Sequence, residues 1–367
     1  RVHRMPKVGS LRQVLALGLC CIAADWRLAE PGWQYQFPRD HHVHPEFKTE
    51  WWYFTGNLID LEGHRFGYEL TFFRQGIRPP AERDPNASRF VVNDLKFAHF
   101  AVTDVTKQRF HFEQKISRGA FGETGFDDGQ TLAWIEGWTL AANGDGAFDL
   151  VATSSKGTMH LHLRVAKPPV VHGQNGISAK ASGLGHASHY YSVTRLETTG
   201  EFIANGKSQP FRGESWFDHE WATNQLAAEQ VGWDWLSVHL DEGSELMLYR
   251  MRLQNGAADP SSSGTLVAPD GSSVYLPSTS FRMTPTEYWK SGTTGAKYPI
   301  GWRVEVSEQG IEFTVRTAVK NQELAFPPLV YWEGAVDVRG TRNGKLIAGR
   351  GYLELTGYAG PLGELQR

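Results

Sequence analysis

The sequence predicts an all-β fold, and three observations carry that prediction. From Phe47 onward apolar and polar residues alternate with period two, the pattern of strands that bury one face. Turn-forming pairs fall between those runs. The composition, 13 Trp, 12 Tyr and 20 Phe with 39 Gly in 367 residues, favours strands and turns over helices. A chain of this length has room for two or three domains, each with its own core. Its charge excludes one class of partner: 37 basic against 40 acidic residues leave a formal net charge of −3. There is no Lys/Arg block, so a nucleic-acid partner is not expected.

The first element along the chain is a leader. Lys7 and Arg12 precede the apolar run Val14 to Ala24, and small residues stand at Ala23, Ala24 and Ala29. A basic stretch before an apolar run too short to span a bilayer is the layout of a secretory signal. Met5 is its expected start, and export to the periplasm or medium its consequence. The alternative is an amino-terminal helix packed on the body. Cys20 and Cys21, the only two cysteines, lie inside this run. Lipid attachment at Cys20 meets Leu19 where a small residue is usually wanted. No other segment approaches the roughly 20 apolar residues of a transmembrane helix.

Strands follow. Thr158 to Val165 and Ile311 to Arg316 alternate without a fault. Asn143-Gly144-Asp145-Gly146, Asn205-Gly206, Asp270-Gly271 and Asn343-Gly344 read as hairpin turns. A short helix is allowed near Ala222 to Gln230, and Pro260 to Ser273 reads as a polar loop. Two echoes indicate an internal duplication. The run Trp51-Trp52-Tyr53-Phe54 to Leu58 resembles Trp233-Asp234-Trp235-Leu236 to Leu240. Later, Tyr190-Tyr191 leads through Asn205-Gly206 to Phe211-Arg212-Gly213, as Tyr331-Trp332 leads through Asn343-Gly344 to Gly349-Arg350-Gly351. The expected organisation is a leader over 1–36 and two related β units over 37–222 and 223–367.

Antiparallel units of this size close as a sandwich or a barrel. A small barrel can hold an apolar ligand, with rings at inward positions lining it. Alternation puts Trp51, Tyr53, Thr55 and Asn57 on one face of their strand and Trp52, Phe54 and Leu58 on the other, so both faces need cover. One could be the cavity and the other an interdomain seam; two buried faces of a sandwich give the same pattern.

The densest polar cluster is Gly213 to Trp221, with Glu214, Asp218, Glu220 and His219 among Trp216, Phe217 and Trp221. Nearby rings raise a carboxyl pKa by desolvation, giving an acid able to donate a proton near neutral pH, and the same rings can stabilise a carbocation. That combination suits proton-initiated chemistry on an alkene; the competing reading is a solvated turn between domains. His41-His42-Val43-His44-Pro45-Glu46 has metal-type side chains, but such stretches near a mature terminus are usually flexible, and no metal is expected. His160 and His162, on one strand face, are expected to face water. There is no Gly-x-Ser-x-Gly elbow and no phosphate or dinucleotide motif, so no cofactor is expected either.

Three blocks carry a resemblance: His44-Pro45-Glu46-Phe47-Lys48-Thr49-Glu50-Trp51-Trp52-Tyr53-Phe54-Thr55-Gly56-Asn57, then Gly213 to Trp221, then Gly351 to Tyr358. Together they resemble the AttH and carotenoid 1,2-hydratase (hydroxyneurosporene synthase) superfamily, from about Phe37 to Tyr358. The resemblance implies two lipocalin-like β-barrels. It includes enzymes that hydrate isoprenoid double bonds, the fungal phytoalexin hydratase type, and exported proteins encoded with ABC-transporter components. The hydratases' His-x-Trp pair is matched by His219-Glu220-Trp221. Their Tyr-x-Asp pair has its counterpart in Tyr249-Arg250-Met251, where Met replaces the expected Asp.

Two expectations follow. The leading one is an exported protein binding an apolar or amphipathic small molecule, lipid-like or isoprenoid, with envelope ABC-transporter components as partners. Glu50, Trp51, Trp52, Tyr53, Trp216, Trp233 and Trp235 would line its site. The alternative is a cofactor-free hydro-lyase adding water to an isoprenoid C=C bond, with Asp218 or Glu214 as proton donor, His219 as base, and Trp221 and Tyr249 holding the cation. A secreted hydrolase is a third reading, without a nucleophile motif to support it.

Overall fold

The computed structural model describes residues 26–360 and 362, apart from residues 145 and 328. The leader's apolar run and both cysteines lie outside the described residues. Residues 26–48 lie against the first unit: Ala29 and Phe47 are buried in its core, and the Trp33 ring meets Trp221 edge-on at 5.8 Å.

Two antiparallel sheets carry the fold, 13 strands between Thr49 and Ala222 and 10 between Gln230 and Thr356. One sheet nearly closes into a barrel and the other curls into a half-barrel. Both repeat one plan. The first strand of each (Thr49–Ile59; Gln230–Leu240) lies between the second (Arg65–Gly76; Glu245–Leu253) and the last (Lys207–Ala222; Lys345–Thr356). The last strand in turn pairs with the one before it (Ala187–Ala204; Leu329–Arg342). The echoed sequence runs occupy these matching strands, so the duplication is visible in topology as well as in residues. The hairpins closing the two units turn at Asn205-Gly206 and Asn343-Gly344. All four residues have positive φ, at 51°, 73°, 49° and 78°, as the primed turns that match strand twist require.

Two local expectations are corrected. Residues 223–229 form no helix. They bridge the two sheets, and side chains satisfy their neighbourhood: Thr223 Oγ1 accepts the Lys48 N–H at 3.2 Å, and Gln230 Oε1 accepts the Ala227 N–H at 3.0 Å. Such local bonds compete with a helical ladder. Within the expected loop Pro260 to Ser273, Ser263–Val267 is a buried strand paired on both sides. Its polar residues are tolerated because they find partners: the Ser263 hydroxyl bonds Tyr249 Oη at 2.8 Å and Thr265 Oγ1 meets His172 at 2.8 Å.

The interiors of the sheets are filled by their own side chains. Trp52, Phe54, Trp138 and Phe217 pack in the first, with Phe54 and Phe217 stacked at 4.2 Å. Val238, Trp302, Phe313 and Trp332 pack in the second. The expectation that inward rings would line a cavity inside a barrel is therefore corrected. Trp51 and Tyr53, on the other face of their strand, join Trp216, Trp235, Met247 and Tyr249 in a separate cluster between the sheets. That seam is tied by polar bonds: Tyr53 Oη to Glu333 at 2.6 Å, His99 to Tyr331 Oη at 2.6 Å, and Lys167 Nζ to Glu245 at 2.7 Å.

Candidate functional site

The strand Lys207–Ala222 presents Trp216, Asp218 and Glu220 to the seam and Phe217, His219 and Trp221 to the first sheet's interior, because successive side chains point to opposite faces. The seam holds a cavity of about 90 Å³, lined from the first unit by Trp51, Tyr53, Lys180, Tyr190, Asp218 and Glu220. From the second unit come Trp233, Trp235, Tyr249, Met251 and Glu354. Space for a small molecule thus opens where two duplicated surfaces meet.

Asp218 is the best-defined polar group in this wall. It is buried, and it accepts hydrogen bonds from Tyr190 Oη at 2.7 Å, from Trp216 Nε1 at 2.5 Å and from the Ser192 hydroxyl. Burial raises its pKa to about 7; the three donors pull the other way without cancelling it, and the charge of Glu220 adds to the rise. Two of the donors reach Oδ1 and one reaches Oδ2, so Oδ2 has the free lone-pair site for a proton. Across the seam, Glu354 is held by Trp233 Nε1 at 2.7 Å, and burial pushes it up to about 8. Glu220 is different: it pairs with Lys180 Nζ at 2.9 Å. That ammonium also lies 4.1 Å from the centre of the Tyr249 ring. Despite its burial Lys180 is held above the ordinary lysine range, chiefly by Glu220. Tyr249 presents its ring to the cavity, while its hydroxyl donates to Ala179 O at 3.0 Å.

The structure separates the residues singled out from sequence into two groups. Trp51, Tyr53, Asp218, Trp233, Trp235 and Tyr249 meet in the cavity, with Trp216 behind Asp218 as a donor. Met251, at the position where the resemblance expects an acid, lies in the same cavity. Glu50, Trp52, His219 and Trp221 do not reach it. Glu50 accepts from His44 Nδ1 at 2.7 Å, His219 Nε2 at 3.0 Å and Arg74 Nε at 3.3 Å. The His44 ring stacks on Trp221 at 3.7 Å, and His219 stacks on Trp52 at 4.6 Å. Burial would raise the Glu50 pKa, but His44, His219 and Arg74 hold it well below the usual range. This network, with His41 Nδ1 2.6 Å from Tyr191 Oη, ties His41 and His44 to the first unit. His44, Glu50 and His219 each have a ligand atom within 4.8 Å of the others. A metal fits poorly there, because these atoms are already bonded to one another and Arg74 supplies the positive charge. Glu214 lies midway along the same strand, part-exposed and paired with Arg195, and does not line the cavity.

Sequence reasoning missed Lys180, Tyr190 and Glu354 as site residues. Tyr190 and Glu354 stand in stretches that the echoes and the resemblance marked, so the strand period could have placed them; Lys180, in a short irregular segment, has no such signal.

The comparisons with known proteins agree with the architecture. A crystal structure of an AttH-type protein from Nitrosomonas europaea superimposes with a TM-score of 0.81 at 32% identity, covering 90% of this chain and 99% of that one. Kievitone hydratase from Nectria haematococca superimposes with a TM-score of 0.69 at 13% identity, covering 89% and 93%, a likeness of fold. Among curated proteins none matches. The AttH-like family model matches residues 28–358, nearly the whole of both units, and the chain belongs to the AttH-like family.

Proposed function

We propose that the seam cavity takes an isoprenoid-like small molecule and adds water across its C=C bond, with Asp218 as proton donor. One observation carries this reading: a buried carboxyl, poised near neutrality, faces an aromatic cavity. In the acid form Asp218 gives its proton to the less substituted alkene carbon, leaving the positive charge on the more substituted one. The rings of Trp51 and Trp235 stabilise that charge, the Tyr249 ring already carrying the Lys180 ammonium. Water adds to the cationic carbon and releases a proton, which returns to the Asp218 carboxylate, so alkene and water give alcohol and the acid is regenerated. His219, turned to the opposite face of its strand, has no part in this step. Kievitone hydratase, a hydratase by name, supports the view that such a fold can host hydration.

Turnover of a linear isoprenoid by wild type, Asp218→Asn and Glu214→Gln tests the assignment. Removing a general acid costs about 10²–10⁴-fold, so Asp218→Asn should lose at least a hundredfold while the surface variant keeps its rate; equal turnover in all three removes the role. Met251 favours a second reading, a binding protein for the same class of ligand serving an envelope transporter. Retention of a lipid or isoprenoid through purification, seen by native mass spectrometry without any turnover, would select it.

A further inference from the structure

At one end of the first sheet four large apolar side chains stand in solvent: Ile77 is 53% exposed, Phe90 48%, Ile116 56% and Phe121 69%. The strands Arg65–Gly76, Asp94–Asp104 and Arg109–Ser117 place them together. Ile77 follows the end of the first of these strands, and its N–H bonds Asn93 O at 2.8 Å beside the start of the second. Phe90 and Phe121 meet edge-on at 5.8 Å, one from each of the two adjoining loops. Arginines frame the rings: the Arg89 guanidinium lies 4.8 Å from the Phe121 centre, and that of Arg118 lies 5.5 Å from Phe90. Arg78, Arg89 and Arg118 are exposed, and among the described residues none is in an ion pair.

The acids of these loops do not cancel that charge evenly. Asp94 is taken by Arg74 and Arg83, at 3.0 and 2.9 Å. Glu123 accepts from the Ser117 hydroxyl and the Phe121 N–H. Glu82 and Asp84, farther along the first loop, are exposed. Exposed rings held among arginines have the composition of an interfacial anchor, rings for the acyl boundary and cations for anionic headgroups.

Two further features converge on this end. Trp26, the first described residue, covers Gly76: a Cβ there would lie 2.1 Å from its indole. The Trp26 indole therefore packs at this end of the sheet, next to the residue before Ile77. Second, the cross-strand partners Ile116, Phe97, Phe73 and Trp51 form one row, with Phe73 and Phe97 stacked at 4.5 Å. Phe97, Phe73 and Trp51 line the cavity. An apolar path thus runs from the exposed patch to the seam.

From these placements we infer that this end of the first unit docks on an anionic lipid membrane, with Phe90 and Phe121 at the acyl boundary and Arg78, Arg89 and Arg118 on the headgroups. The inference stands apart from the hydration chemistry. Co-sedimentation of the full chain with phosphatidylcholine vesicles, with and without phosphatidylglycerol, tests it. Wild type should partition to the phosphatidylglycerol vesicles and be released by salt. Arg89→Gln with Arg118→Gln should weaken partition about 25-fold, at roughly a kcal/mol per charge. Phe90→Ser with Phe121→Ser should weaken it as well, with near-UV circular dichroism unchanged in both. No partition of the wild type, equal binding to the uncharged vesicles, or variants that bind like wild type would each overturn the inference.

Discussion

Asp218 and Glu50 are both buried carboxylates, yet their surroundings give them opposite acidities. Asp218 has only neutral donors, so burial wins and its pKa rises to about 7. Glu50 has Arg74 and two imidazoles, so its pKa falls. The sign of each effect on stability follows. Between about pH 4, where an unfolded Asp titrates, and pH 7, folded Asp218 holds a proton that the unfolded chain has lost. Stability is therefore fully present below that window and declines as pH rises through it. Asp218→Asn should flatten this part of the stability profile, by at most about 1.4 kcal/mol per pH unit, in urea denaturation at successive pH values. If hydration needs the acid form, its rate should fall about tenfold per pH unit above pH 7. Glu50 has the reverse sign: its contribution is present above the unfolded carboxyl range and is lost as pH falls below it. Glu50→Gln removes the anion shared by Arg74, His44 and His219 while Asp94 still faces Arg74 at 3.0 Å, so a loss of about 1–3 kcal/mol is expected by denaturant unfolding.

At the scale of strands and turns, much was legible and the limit was sidedness. The period-two runs, the Asn-Gly hairpins and the repeated order of parts could be read because each is a local pattern. A strand's period says that Trp51 and Trp52 part company; it does not say which of them meets a partner sheet. The same rule, applied within the Gly213 to Trp221 block, separates Asp218 from His219, so an acid and a base adjacent in sequence cannot share one cavity. Ser263–Val267 misled because its serine is buried against Tyr249 on the neighbouring strand and its threonine against His172 of the other unit. Close approach of the two sheets also depends on a position without a side chain. A Cβ on Gly67 would sit 2.6 Å from Tyr352 Oη and 2.8 Å from Ala335 Cβ. Gly67→Val should overpack the seam and cost about 1–3 kcal/mol, measurable as a shift in urea midpoint. An unchanged midpoint would mean that the seam yields without cost.

For the molecule as a whole, the aromatic surplus divides between two tasks. Trp52, Trp138, Trp302 and Trp332 fill the two sheets, while Trp51, Trp216, Trp233 and Trp235 belong to the seam. Duplication explains why a site can arise there. Each unit buries its own interior and keeps a second apolar face, and joining the two faces leaves room between them. The resemblance could indicate the family and its fold from three sequence blocks, whereas the cavity needs residues from Trp51 to Glu354 brought together by the docking of both units. The central claim is that the seam, and neither sheet's interior, is where a ligand sits. A crystal structure of the protein soaked with a linear isoprenoid alcohol tests it most directly. The account predicts ligand density between Trp51, Trp235 and Tyr249, with a carbon of the chain in contact with Asp218. Density inside either sheet, or an empty seam at saturating ligand, would contradict it.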